Sequence, residues 1–379
     1  MRVLILTDNY PPVVGGAETY AYDLATGLVK KGHNVTVYTD GERQSALVTT
    51  WENGVEVVRD GTYWSMLKRH GSAWENLMFG RVSTIEALLQ DRQFDLVHAN
   101  NHDTAVLGAI IKIATGWPLV VTNHEVGRQN SLLGPGRLQF VMRAVDANLT
   151  LCTSEYYAAE ARRFGGKNVK RIYLGVDTKQ FHPADVIPEN GLITCLARFK
   201  PRKGLIELIE ASRIVVDSHP NAKFVLAGST SSATPNFLQV MRAQIDKLGL
   251  AAHFEIRDDV SKEDVAHLIR QSRLVVQPSY AEGLGLAALE SLASGVPVVA
   301  TKTTGFDEFM RHEVNGLVVS VGDTRGLASA ILKAIESPLE ARAWGLAGHE
   351  LVQKQFSLNR MLDETEREYT RLAKSPNDG

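Results

Sequence analysis

The sequence predicts an α/β protein of two doubly wound domains, each a parallel sheet covered by helices, the two facing a cleft. Three observations carry that expectation. Short β-branched runs alternate with helical patterns through the first half. The alternation restarts at Leu192. Between the two halves lies "GVDTKQFHPADVIPEN", polar and holding two prolines, which has the composition of a linker. With 379 residues, 44% of them apolar, the chain is long enough for two cores.

In chain order, "MRVLILTDNY" opens with a buried strand at Val3 to Leu6, too short for the apolar core of a secretory signal. Ala17 to Lys31 has helical spacing and stops at Gly32. Strands follow at Asn34 to Thr39, Leu96 to Ala99, Leu119 to Thr122, Asn148 to Cys152 and Val169 to Tyr173. Ser154 reads as the cap of a helix over "EYYAAEARRF". The second set of strands falls near Ile193 to Ala197, Lys223 to Ala227, His253 to Ile256, Leu274 to Gln277 and Pro297 to Ala300. These elements divide the chain into a domain over 1–180, a domain over 191–355 and a charged C-terminal helix over 356–379. That helix either ends the second domain or crosses back onto the first.

Composition narrows the function. A net charge of −2 supplies no basic field for nucleic acid. No run reaches the eighteen or so apolar residues of a membrane span, since Lys112 and Glu290 interrupt the longest ones. The expectation is a cytoplasmic protein, soluble or peripherally attached at the inner membrane face. Cys152 and Cys195 both sit in apolar strand-like runs, as buried free thiols do. His98 and His102 in "HANNHD" give no familiar zinc spacing, so no metal is expected.

In open parallel sheets, ligands bind beyond the carboxyl ends of the strands. Four segments stand there: "NYPPVVGGAE", "TNHE", "ARFKPRKG" and "YAEGLGLAALE". Gly15 and Gly16 would let backbone N–H groups approach an anion at a helix N-terminus, or they form a plain turn. They match neither a Walker loop nor the G-x-G-x-x-G spacing, which argues against a dehydrogenase. Arg198 and Lys203 flank a loop where a phosphate clamp would stand; the alternative is solvated surface charge. If Gly285 begins a helix, Glu282 precedes it and Glu290 lies about a turn and a half inside, their carboxylates roughly 10 Å apart. That span suits a nucleotide sugar laid along the helix start, with the diphosphate on the N–H groups of Gly283, Leu284, Gly285 and Leu286. Read singly, Glu282 is a residue favoured by the helix dipole and Glu290 part of a polar face. His124, just past "PLVVT", is either structural or part of a site.

Together these residues resemble the family 4 glycosyltransferases, retaining enzymes of two Rossmann-like domains in the GT-B fold. The resemblance covers most of the chain. It rests on "PPVVGGAE", "VVTNHE", "LGVDTKQF", "ARFKPRKG" and above all "PSYAEGLGLAALESLASGVPVVAT" followed by "NGLVV". It departs from the family at Asn100, where many relatives carry histidine, at Leu174, where asparagine is common, and in "HFEIRDDVSKED", which lacks the usual glycine.

The resemblance implies that Gly15 and Gly16 contact the donor diphosphate and that Arg198 and Lys203 hold it. Glu282 would bind the donor sugar, Glu290 the ribose, and His124 would lie by the reaction centre, with His124 and Glu282 as the catalytic pair. The C-terminal helix would cross back to the first domain. The implied reaction moves a hexose from a nucleoside-diphosphate sugar, uridine ahead of guanosine, to a saccharide, lipid-linked or small-molecule hydroxyl. No cofactor is required, and same-face attack is assisted by the departing phosphate. For the acceptor, "TYWSMLKRHGSAWENLMFGR" sets Trp64, Trp74 and Phe79 beside Lys68, Arg69 and Arg81: a glycan surface, a contact with anionic lipid, or a helix with a buried aromatic face. Rival readings are a nucleotide-sugar epimerase of the same architecture, a non-catalytic two-domain sugar-binding protein, and a hydrolase, for which the two glutamates are poorly matched.

Overall fold

The structure is a computed structural model that describes residues 1–13, 15–42, 47–61, 85–86, 88–90, 92–124, 142–184, 191–230 and 234–374. The aromatic and basic segment around Trp64, Lys68, Arg69, Trp74, Phe79 and Arg81 lies outside the described residues. The chain divides into two compact units, one of Met1–Gly175 with Asn359–Gly379, the other of Val176–Leu358.

The sheet of the first unit has eight strands in the order β3-β4-β2-β1-β5-β6-β7-β8. They are β1 (Arg2–Leu6), β2 (Asn34–Asp40), β3 (Val48–Glu52), β4 (Val55–Asp60), β5 (Leu96–Ala99), β6 (Leu119–Asn123), β7 (Leu149–Cys152) and β8 (Val169–Arg171). All neighbours are parallel except β3 against β4. Strands β1, β5, β6 and β7 are buried almost throughout, as expected where helices cover both faces. The helices are α1 (Gly16–Lys30), α2 (His102–Thr115) and α3 (Glu155–Arg163). Ser154 caps α3 as read from the sequence, its hydroxyl accepting from the Tyr157 N–H. Asn101 caps α2 in a reciprocal pair with Thr104.

The β3–β4 hairpin is absent from the sequence reading. Its signal is the pair Asn53-Gly54, both at positive φ (51° and 80°), in a two-residue turn between Glu52 and Val55. An exposed edge strand with little apolar alternation hid it; β3 is open to solvent over most of its length.

The second unit holds six parallel strands in the order β11-β10-β9-β12-β13-β14. They are β9 (Leu192–Leu196), β10 (Phe224–Gly228), β11 (Phe254–Asp258), β12 (Ser272–Gln277), β13 (Val298–Thr301) and β14 (Leu317–Val319). Their helices are α4 (Leu205–Ser218), α5 (Phe237–Lys247), α6 (Lys262–Arg270), α7 (Leu286–Ala293), α8 (Thr324–Glu336) and α9 (Pro338–Gln355). The final helix, α10 (Leu358–Lys374), belongs to the first unit from Asn359 onward. Gly27 of α1 lies so near it that a β-carbon there would meet a Leu362 methyl at 2.4 Å.

Strand order fixes where each unit can hold a ligand. The chain leaves β1 for β2 on one side and returns to β5 on the other; around β9, strands β10 and β12 do the same. Loops leaving such a reversal point diverge and open a crevice at the carboxyl ends.

Candidate active site

In the second unit that reversal point lies at the carboxyl ends of β9 and β12. After β9 the chain makes one tight turn, Pro201–Lys203, ending at Gly204 with φ 66°. A β-carbon on Gly204 would lie 1.9 Å from the Pro278 carbonyl oxygen, so the turn rests backbone to backbone on the segment leaving β12. Arg202 fastens the two loops, its guanidinium donating to the Ala281 carbonyl at 3.0 Å and its carbonyl accepting from the Tyr280 N–H at 2.9 Å.

This junction brings Lys203 and Glu282 together. The ammonium donates to Glu282 Oε1, and the Ser279 hydroxyl donates to the same oxygen at 2.7 Å. Only 14% of the lysine side chain and 9% of the glutamate side chain are exposed. In so dry a setting the pair is held by its mutual charge and by the serine. Glu282 therefore has protein partners, and Ser279 is a member of the cluster that sequence reasoning missed. Its place in "PSYAEG", three residues before Glu282, was the available signal.

The helix start is shaped by glycine. Gly285 does not itself begin α7; it stands just before it with φ 97°, where a β-carbon would strike the Phe306 ring at 2.3 Å. A β-carbon on Gly305 would lie 2.7 Å from the Glu282 carbonyl oxygen and 2.9 Å from the Leu284 nitrogen. Among the described residues no side chain caps α7 and no acidic residue sits in its first turn, which leaves its leading N–H groups without a described side-chain partner. Leu284 is buried, while Gly283 and Leu286 are partly exposed. Glu290 lies in the second turn, partly buried. Arg198 is partly exposed, with no hydrogen bond or ion pair among the described residues.

In the first unit, Gly15 and Gly16 lead into α1. Gly15 is extended, with φ 174°, and a β-carbon on it would meet only the movable carboxylate of Glu18. At Gly16 a β-carbon would meet nothing within 4 Å among the described residues. Packing gives no reason for glycine at either position, so the open space over Gly16 is available to something else. Arg59 of β4 steadies the preceding loop by donating to the Pro11 carbonyl at 2.8 Å, while pairing with Glu52 across the hairpin.

His124 follows β6 and is partly buried. Its Nε2 lies 2.9 Å from Asn100 Oδ1, and its ring meets Tyr20 edge to face at 4.8 Å. Beneath it, His98 hydrogen-bonds Thr122 through Nε2 and Tyr369 of α10 through Nδ1. Burial pushes both imidazoles down to about 3, so both are neutral at pH 7. Both ring nitrogens of His98 are thus engaged in the core. Among the described residues no group of three or more His, Cys, Asp or Glu stands together as metal ligands do.

Two family descriptions match the chain: Glycosyltransferase Family 4 over residues 14–180 and Glycosyl transferases group 1 over residues 177–350. The chain belongs to the family 4 glycosyltransferases. An uncharacterized glycosyltransferase of Methanocaldococcus jannaschii is 27% identical over 84% of this chain and 85% of its own. Among solved structures, the sucrose-phosphate synthase of Thermosynechococcus elongatus superposes with a TM-score of 0.84 at 22% identity, covering 98% of each chain. An Anabaena protein solved in complex with UDP and glucose gives 0.80 at 22% identity, covering 98% of this chain and all of its own. These likenesses identify the GT-B fold with its two Rossmann-like domains. In this glycosyltransferase the first match contains Gly15, Gly16 and His124, and the second contains Arg198, Lys203, Glu282 and Glu290. Among its described residues no helix is long and apolar enough to cross a membrane.

Proposed function

We propose that this glycosyltransferase transfers a hexose from a nucleoside-diphosphate sugar, uridine in preference to guanosine, to a hydroxyl of a saccharide, lipid-linked or small-molecule acceptor, with retention at the anomeric carbon and without a metal. The observation that carries the reading is the Lys203–Glu282–Ser279 cluster beside the uncapped start of α7. A lysine has three donors, so Lys203 can keep Glu282 and still donate to a phosphate oxygen. Departure of the nucleoside diphosphate gathers negative charge on that phosphate. A fixed ammonium, the open guanidinium of Arg198 and the N–H groups at Gly285 and Leu286 oppose that charge without reorganising.

In this reading Glu282 takes sugar hydroxyls and Glu290 the ribose. Gly15 and Gly16 accommodate the diphosphate from the first unit, and His124 adjoins the transferred sugar. The uridine preference draws support from the fold relative bound to UDP and glucose. Attack comes from the face the leaving group vacates, with the departing phosphate taking the acceptor proton. The enzyme works in the cytoplasm, in contact with the inner membrane face when its acceptor is lipid-linked.

Calorimetric titration with UDP and with GDP, on wild type and Glu290→Ala, tests the donor site. Micromolar binding of UDP that is lost in the variant is expected; binding of neither nucleotide refutes the reading. Proton NMR of the first product reports the anomeric configuration, and inversion would overturn retention. Conversion of the donor sugar without an acceptor would establish an epimerase instead, and turnover abolished by EDTA would refute metal independence. Cosedimentation with anionic liposomes tests the membrane contact, which fails if all protein stays in the supernatant.

A further inference from the structure

Asn100 stands at the carboxyl end of β5, 1% exposed, where the loop after β1, the start of α1 and the end of β6 converge. Its amide nitrogen donates to the Ala17 carbonyl at 3.0 Å and to Thr7 Oγ1 at 3.2 Å. A carbonyl only accepts. The Thr7 hydroxyl spends its proton on the Asn9 carbonyl at 2.9 Å, so towards Asn100 it accepts too. Both partners demand N–H, which fixes the amide orientation and turns Oδ1 onto His124 Nε2 at 2.9 Å. An amide oxygen accepts only, so Nε2 must carry the proton.

We propose that Asn100 is a positioning residue that locks His124 in the Nε2–H tautomer and thereby makes its Nδ1 a fixed hydrogen-bond acceptor for a hydroxyl of the bound sugar. The hydroxyl part rests on the reading of His124 as adjoining the transferred sugar; the tautomer lock stands without it. Nδ1 has no hydrogen bond among the described residues. Among the described residues, Tyr20 from α1 meets the ring edge to face, and His98 from β5 and His102 from the start of α2 are the titratable groups whose charge acts with it. None of them is a carboxylate, and burial keeps the ring neutral, so His124 accepts a proton-bearing group rather than donating to one. The same amide ties the ring to the first turn of α1, the helix that Gly16 opens.

The first test needs no variant. Nitrogen-15 NMR of histidine-labelled wild type, with His124→Gln to assign the resonance, should show His124 protonated at Nε2 alone at pH 7. An Nδ1–H ring, or a mixture, overturns the lock. In Asn100→Asp the carboxylate faces Nε2 and favours the charged ring, so kcat should fall at least tenfold at pH 6 and recover towards pH 8.5, with KM for the donor changing less. Wild type should be flat over that range. A pH profile for Asn100→Asp parallel to wild type overturns the coupling. If His124→Ala transfers sugar at the wild-type rate while the wild-type tautomer is Nε2–H, the lock holds and the sugar-facing role of His124 fails.

Discussion

Replacing Glu282 by alanine should cost the protein more stability than any loss of substrate contact explains. Lys203 and Glu282 are nearly dry, 14% and 9% exposed, and the ammonium rests on this one carboxylate. Removing the carboxylate leaves a buried cation without its counter-charge, a change worth about 3 kcal/mol at the lower end for buried pairs. The second unit runs from Val176 to Leu358. For a domain of that size each kcal/mol moves Tm by about 2–4 °C, so Glu282→Ala should melt about 6–12 °C early. Glu282→Gln keeps an oxygen for Lys203 and Ser279 and should lose about half as much. Lys203→Met combined with Glu282→Leu removes both charges and should recover most of the loss while remaining inactive. Differential scanning calorimetry of the ligand-free full chain reads all three. A Glu282→Ala transition within 2 °C of wild type would refute the claim that the pair is energetically closed, and the double variant melting as low as the single one would refute the charge explanation. Activities of these variants should be compared well below the lowest Tm.

Gly16→Ala adds a methyl to empty space at the first turn of α1, so Tm should stay level or rise slightly while affinity for the donor falls at least tenfold; unchanged affinity would remove Gly16 from the site. Folding holds His98 and His124 at about 3 against an ordinary 6.5, so between those values the unfolded chain binds the protons and stability falls as pH falls. The loss is about 1.4 kcal/mol per pH unit for a fully enclosed ring, His98 contributing most. Urea unfolding at pH 6.5 and 5 should show it, and equal midpoints would contradict it. Burial lifts the thiols of Cys152 and Cys195 to about 12, so neither should react with DTNB at pH 8 until the chain unfolds; rapid labelling of the native protein would show them accessible.

The sequence disclosed what periodicity and punctuation encode. Strands such as Leu96 to Ala99 were readable because parallel strands buried on both faces become short apolar runs, and Ser154 because a cap is a local event. The positions of the candidate residues at carboxyl ends followed from that alternation. What stayed hidden was pairing at long range. Lys203 and Glu282 stand 79 residues apart, and reading them separately assigned one to phosphate and the other to sugar without their mutual bond. The role of Asn100 was invisible for a similar reason: its three partners come from the loop after β1, the start of α1 and the end of β6.

The bond between His98 and Tyr369 spans 271 residues, so the first unit draws on the two ends of the described chain. The second unit is one continuous stretch, Val176–Leu358. The first unit begins earlier but closes later, because its buried histidine waits for a phenol on α10. A chain without α10 leaves His98 Nδ1 without its phenol and Gly27 without Leu362 against it. The unit that holds His124 is thus complete only once α10 is in place.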